Sequence, residues 1–255
     1  SQHANANVNL ETRTATSYNL SDAGLVGLWG LNGNFTDEKG MYTATNQGGV
    51  TFSEENGTMG QGIACDNLYS GGWKDGWWNV SSEVQVNHDD DYSFSTWLKH
   101  DGGTGSYSGF FNMHELGTSR LGFAKSNAEK IQVSPRTSTN IHGLTTIEQN
   151  KWYHVVVTGQ GTNHTIYVNG EYDNSGISTN IPASDWIDAQ IRFCTRRGDY
   201  GWKGNMDEMR LYNRTLSAEE VQNLYEMGSY HIEWNDWDNE GKVSDMVQVQ
   251  STSKG

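Results

Sequence analysis

Lys151 to Tyr172 reads KWYHVVVTGQGTNHTIYVNGEY, and this stretch decides the fold. Val155, Val156 and Val157 are β-branched and sit in a run too short for a helix. GQGTN then turns the chain into HTIYV. Asn169-Gly170 is a strong closing pair for a two-residue hairpin, because both central positions of that turn need a positive φ. Two consecutive antiparallel hairpins are expected here.

The same rhythm extends on both sides. DYSFSTWLKH, Asp91 to His100, alternates Tyr92, Phe94, Thr96 and Leu98 against Ser93, Ser95, Trp97 and Lys99, one apolar face and one mixed. Further strands are read from Gly24 to Leu31, around Gly48 to Ser53, at Ala189 to Thr195 and at Asn205 to Tyr212. One helix is convincing, SAEEVQNLYEMG. Ser217 caps it, Glu220 closes the capping box, and Gly228 is read as its end. Regularly spaced strands with one terminal helix imply an all-β, two-sheet antiparallel jelly-roll sandwich. The expected division is an N-terminal polar arm over 1–23, the jelly roll over 24–228, and a tail or added segment over 229–255.

Composition narrows the class. The chain has 255 residues with 30 glycines and 2 prolines, which suits many short strands joined by turns. Its formal charge of −14 would repel polyphosphate backbones and anionic bilayers, so nucleic acid and membrane insertion are excluded as partners. No window approaches the roughly 18 to 20 apolar residues of a membrane span. SQHANANVNLETRT lacks the order of a secretory leader, and a Ser1 left by removal of an initiator Met would suit a virion component. Cys65 and Cys194 form either one long-range bridge or two buried thiols.

GLVGLWGLNGNFTDEKG, DYSFSTWLKHDG, the Lys151–Tyr172 hairpins and WKGNMDEMRLYNRTLSAEEVQNLY occur in an order that resembles the LamG-like, concanavalin A-like jelly-roll domains, over about Gly24 to Tyr225. That resemblance implies one structural calcium between an early Asn/Asp loop and a late strand, here Asn34, Asp37 and Asp207. Hard oxygens beside a glycine-rich loop suit that ion. Asp207 is read on the same strand face as Met209 and Leu211, where a cation would offset the cost of burying a carboxylate. DWDNEGKVSD, Asp236 to Asp245, has EF-hand-like alternation but no closing Glu, and reads as a solvated acidic tail.

Glycoside hydrolases of this architecture carry Glu-x-Asp-x-Glu on a central strand, and no such run occurs within the jelly-roll region. His154 and His164 are read as strand-surface residues rather than a catalytic pair. Binding is better supported. Trp73, Trp77 and Trp78 crowd into YSGGWKDGWW, and Trp202 lies in RRGDYGWKG. Such rings either stack on a sugar face, with Asp75, Arg196, Arg197 and Tyr200 as polar partners, or fold back over the sandwich end or into a subunit interface. The reading is a non-catalytic module for glycan or another surface receptor, displayed on a cell surface, virion or extracellular particle. The alternatives are a decoration or fibre protein whose arms lock neighbours in a homo-oligomer or larger assembly, and, last, a polysaccharide-degrading enzyme.

Overall fold

The computed structural model describes residues 19–46, 48, 50–65, 78–80, 91–102, 107–115, 118–135, 139–178, 190–196 and 200–229. The first strands are β1 (Leu25–Trp29), β2 (Ala44–Asn46), β3 (Val50–Ser53), β4 (Gly62–Cys65), β5 (Trp78–Val80) and β6 (Tyr92–His100). Then come β7 (Ser108–Glu115), β8 (Thr118–Lys125), β9 (Ile131–Pro135), β10 (Ile141–His142), β11 (Trp152–Gln160), β12 (Asn163–Val168) and β13 (Glu171–Ile177). The last are β14 (Gln190–Phe193), β15 (Thr195–Arg196), β16 (Tyr200–Gly201), β17 (Gly204–Tyr212) and the helix α1 (Ala218–Ser229).

These strands form two sheets. The eight-stranded sheet runs β13-β12-β11-β6-β17-β4-β3, with β1 also on β17; the nine-stranded sheet runs β10-β9-β8-β7-β14-β5-β2, with β15 and β16 beside it. The decisive hairpin is present: β12 turns into β13 at Asn169 (φ 52°) and Gly170 (φ 83°), both left-handed. Tyr92, Phe94 and Leu98 of β6, Tyr153, Val155 and Val157 of β11, and Phe111, Phe123, Val133, Ile191 and Phe193 of the second sheet share one core between the sheets. Phe111 and Phe123 stack with centroids 4.7 Å apart. Cys65 and Cys194 are bonded across that core, from the end of β4 to the residue after β14.

Strand β17 organises the first sheet. Gly204, Asn205 and Met206 pair with β4, while Met209 to Tyr212 pair with β1 along the same edge. The register against β6 shifts between Asp207 and Arg210, and Glu208 takes φ 51°. This bulge corrects the expected alternation. Met206, Met209 and Leu211 enter the core, whereas Asp207 pairs with Trp97, which is not part of that core cluster. The first strand and the segment leading into α1 meet nearby. Leu25 pairs with Tyr212, and the Arg214 guanidinium reaches the Ala23 carbonyl, Asp22 and Glu220.

The capping box is closed from both sides: Glu220 N–H donates to Ser217 Oγ (3.2 Å) and Ser217 N–H to Glu220 Oε2 (2.8 Å). Gly228 does not end the helix. It lies within α1, without a positive φ, and its reason is close approach to Trp97. α1 covers the outer face of the eight-stranded sheet, where Val221 and Leu224 join Leu25, Leu28, Val156, Tyr212 and Leu216 in a second apolar cluster.

Candidate functional site

In the nine-stranded sheet, alternation puts one set of residues in the core and the next set on the opposite face. Ile131 and Val133 of β9, Phe123 of β8, Phe111 and Met113 of β7, and Ile191 and Phe193 of β14 are core. Between them, the register lines up Thr45, Asn79, Arg192, Asn112, Gly122 and Ser134 across β2, β5, β14, β7, β8 and β9. A second row joins Gly109, Ala124, Gln132 and His142. From Arg192 to Ser134 is three inter-strand steps, about 14 Å at the usual spacing.

This face is polar yet recessed. Asn112 is 0 % exposed, Gln132 3 % and Ser134 4 %, although all three point away from the core. Gln132 Nε2 donates to Tyr107 Oη (3.0 Å) and to Ser134 Oγ (2.7 Å), so the amide is held in place. Arg192 is half-buried, and burial lowers its pKa from the ordinary arginine value. Gly122 and Ala124, in the middle of the strip, are buried as well, and the members that reach solvent are Arg192, Thr45 and His142. Guanidinium, hydroxyl and imidazole groups in such rows can hydrogen-bond a row of hydroxyls. Neither row contains a carboxylate, and glycoside hydrolysis in most enzyme families needs two.

The residues singled out in the sequence are placed otherwise. Trp73, Asp75, Trp77 and Arg197 lie outside the described residues. Trp78 starts β5 opposite Phe193, and Arg196 pairs with Tyr200, so the backbone brings these three positions to one end of the same sheet. Trp202 is a correction. It is fully buried, edge-on to Phe110 (5.6 Å) and His100 (5.0 Å), with Nε1 donating to the Asn205 carbonyl. The pairing of β16 with β7 draws that loop inward, so the ring folds over the sandwich end and offers no face to a ligand. His154 and His164 are also buried rather than on the surface. His164 lies between Tyr92 Oη and Ser178 Oγ, both at 2.9 Å.

The calcium set fails on its donors. Asp37 Oδ1 accepts the Leu28 and Lys39 N–H groups, and Oδ2 those of Met41 and Tyr42, at 2.9 to 3.1 Å. Asp207 Oδ2 accepts Thr58 N–H (2.7 Å), Thr58 Oγ1–H (3.0 Å) and Met59 N–H (2.9 Å), and Oδ1 accepts Glu208 N–H. Asn34 Oδ1 accepts Thr36 N–H within its own turn. A cation would stand where these hydrogens already point. Asn34, Asp37 and Asp207 therefore do not fit a calcium ion; backbone amides fill its role. Burial and the Glu208 carboxylate push Asp207 up to about 8, against the pull of the Met59 and Thr58 donors. Among the described residues no three His, Cys, Asp or Glu side chains gather as a metal centre.

The profile of the concanavalin A-like lectin/glucanases superfamily matches residues 71–222, more than half of the chain. The chain belongs to this superfamily. Among solved structures, the superfamily fold of this chain superposes on Trypanosoma rangeli sialidase in complex with the inhibitor DANA with a TM-score of 0.63, at 16 % identity over 80 % of this chain and 33 % of that one. The binding domain of Paraclostridial Mosquitocidal Protein 1 gives 0.62, at 17 % identity over 81 % and 52 %. Domain 4 of AbnA, an extracellular GH43 arabinanase from Geobacillus stearothermophilus in complex with arabinotriose, gives 0.61 at 19 % identity, over 80 % of this chain and 98 % of that domain. The chain thus spans a third of the sialidase and half of the mosquitocidal protein's domain, but nearly all of the arabinanase domain. Identities this low establish the fold alone. No curated protein sequence matches the chain.

The sequence reading missed Asn112, Gln132, Ser134 and Arg192. The signal was present in IQVSP and QIRF, where apolar and polar residues alternate, but which strands stand side by side is not written locally.

Proposed function

We propose that the chain is a non-catalytic binding module that lays a glycan along the polar rows of the nine-stranded sheet, in an extracellular setting. One observation carries this reading: two carboxylate-free polar rows on the face away from the core, in which the buried Asn112, Gln132 and Ser134 lie between Arg192, Thr45 and His142, which reach solvent. A strip of about 14 Å, the span of four strands, suits an oligosaccharide of about three residues. The fold shared with an arabinanase domain solved with arabinotriose and with a toxin binding domain supports it. The buried Cys65–Cys194 bond supports an oxidising compartment, where such bonds persist. No helix among the described residues is long and apolar enough to cross a membrane.

A single shallow site binds at about millimolar Kd, so attachment depends on many copies. The test is a glycan array probed with the multimerised chain, followed by titration of the hits. Gln132→Ala and Arg192→Gln should each weaken a hit at least tenfold while the fold persists. An array without any hit, or hits indifferent to both substitutions, overturns the reading. Residues 1–18 and 230–255, on which the alternative of arms locking a virion or filament lattice rests, lie outside the described residues.

A further inference from the structure

Helix α1 hides a patch unlike the rest of the interior. Tyr225 stacks on Trp97 with centroids 5.7 Å apart and lies 6.1 Å from the His154 ring, while Trp97 and His154 are 5.2 Å apart. Gly228 approaches so closely that a Cβ there would stand 2.3 Å from Trp97 Nε1. His154 is fully buried, with Nε2 on Ser95 Oγ at 2.9 Å; its Nδ1, like Trp97 Nε1, has no hydrogen-bond partner among the described residues.

Among the described residues, burial and the nearest cation favour a neutral ring. β6 presents only Ser95 and Trp97. β17 presents Arg210, in ion pair with Glu208 at 2.8 Å, and Asp207, whose carboxylate is turned to Thr58, Met59 and the Glu208 N–H. The β12–β13 turn presents Asn169, whose Oδ1 accepts the His154 backbone N–H. α1 presents Tyr225, while its Glu226 is held by Gln222 on the exposed side. An imidazolium here would need an acceptor at Nδ1 and finds none among the described residues, and it would lie in the field of Arg210. Burial first, then Arg210, hold His154 well below the ordinary histidine value, at about 3.

We propose that His154 is an acid-operated latch: protonation of its ring releases helix α1 from the outer face of the sheet while the two sheets stay closed. The apolar cluster under α1 is separate from the core between the sheets, so the helix can leave without opening that core. A released α1 of 12 residues would lose its helical hydrogen bonds, because isolated helices of that length are marginal in water. The latch lies on the sheet opposite the glycan strip and does not depend on it.

Hydrogen exchange of the full chain between pH 7 and pH 4.5 tests this, after correction for intrinsic exchange. Each pH unit below the ordinary histidine value raises the released population tenfold while the docked ring stays neutral, so about 100-fold is expected for α1 amides by pH 4.5. Amides of β6, β11 and β17 should stay protected. His154→Gln, which keeps an amide donor for Ser95 but does not titrate, should reduce the α1 change to less than threefold. His164→Gln and His100→Gln should leave it intact. Simultaneous loss of protection in α1 and the strands, or an unchanged response in His154→Gln, overturns the proposal. Should His154→Gln not fold, ring NMR of the wild type decides: proton uptake with α1 still protected refutes the latch, and uptake coincident with α1 exchange supports it.

Discussion

Cys65 and Cys194, 129 residues apart in sequence, are joined by a disulfide that ties one sheet of the sandwich to the other across the core. Closing so long a loop removes much of the freedom of the unfolded chain, about 4 to 5 kcal/mol in the chain-entropy description. The double variant Cys65→Ser, Cys194→Ser should lower Tm by roughly 10 °C or more, about 2 to 4 °C for each kcal/mol in a chain of this size. Calorimetry reads the shift. A loss below 2 °C would show that the bond adds nothing to the fold.

Asp37 and Asp207 collect amide hydrogens where a calcium ion was expected from the sequence. EDTA should therefore leave Tm unchanged within a degree, and added calcium should not raise it. Asp37→Ala strands the buried Leu28 and Tyr42 N–H groups and should cost about 3 kcal/mol or more, since each unsatisfied buried donor costs about 1 to 3. Urea titration with and without EDTA separates the two statements. A calcium-dependent midpoint would return the ion to this site.

Gly228→Ala sets helix propensity against space. Alanine favours a helix interior by about 1 kcal/mol over glycine. Here its Cβ would meet the Trp97 indole at 2.3 to 2.8 Å, contacts that no rotamer of Ala can avoid. The clash should win, with a net loss of about 1 to 3 kcal/mol and a change in the near-ultraviolet signal of Trp97. A stabilised variant would mean that α1 does not press on Trp97.

Glu220 joins the capping box to Arg214, accepting both Arg214 guanidinium nitrogens and the Ser217 N–H. The Arg214 hydrogen bond, helped by Ser217, holds its carboxyl down to about 2. A folded-state pKa below the unfolded value means that the stabilisation is complete above about pH 4.5 and disappears as pH falls toward 2. Because the pair is partly exposed, the full effect is modest, about 1 kcal/mol after screening. Glu220→Gln should cost that much at pH 7 and clearly less at pH 3, as read by denaturant titrations at the two pH values. An equal cost at both would assign the effect to capping geometry rather than charge.

The hairpin at Asn169-Gly170 and the box at Ser217 and Glu220 were legible because both are local: a turn needs two positive φ values, and a cap needs two side chains three residues apart. The alternation of β6 was equally plain. What alternation could not show was that both of its faces are covered, one by the second sheet and one by α1, which is why His154 was read at the surface. Trp202 was misread for a related reason. Its segment is glycine-rich and loop-like, and only the pairing of Gly201 with Gly109, far away in sequence, turns the ring inward. Asp207 was read as a carboxylate whose burial calls for an offsetting positive partner. Sequence does not encode the direction of the backbone around it, so amides and a metal ion looked alike. The strip of Arg192, Asn112 and Ser134 depends on strand order, the least local property of a sandwich.

Leu25 pairs with Tyr212, and Arg214 clasps Ala23, so the first strand is fastened to the segment that leads into α1. Loosening the chain at Asp22 and Ala23 would therefore be felt at the base of the helix, through the same guanidinium that holds Glu220.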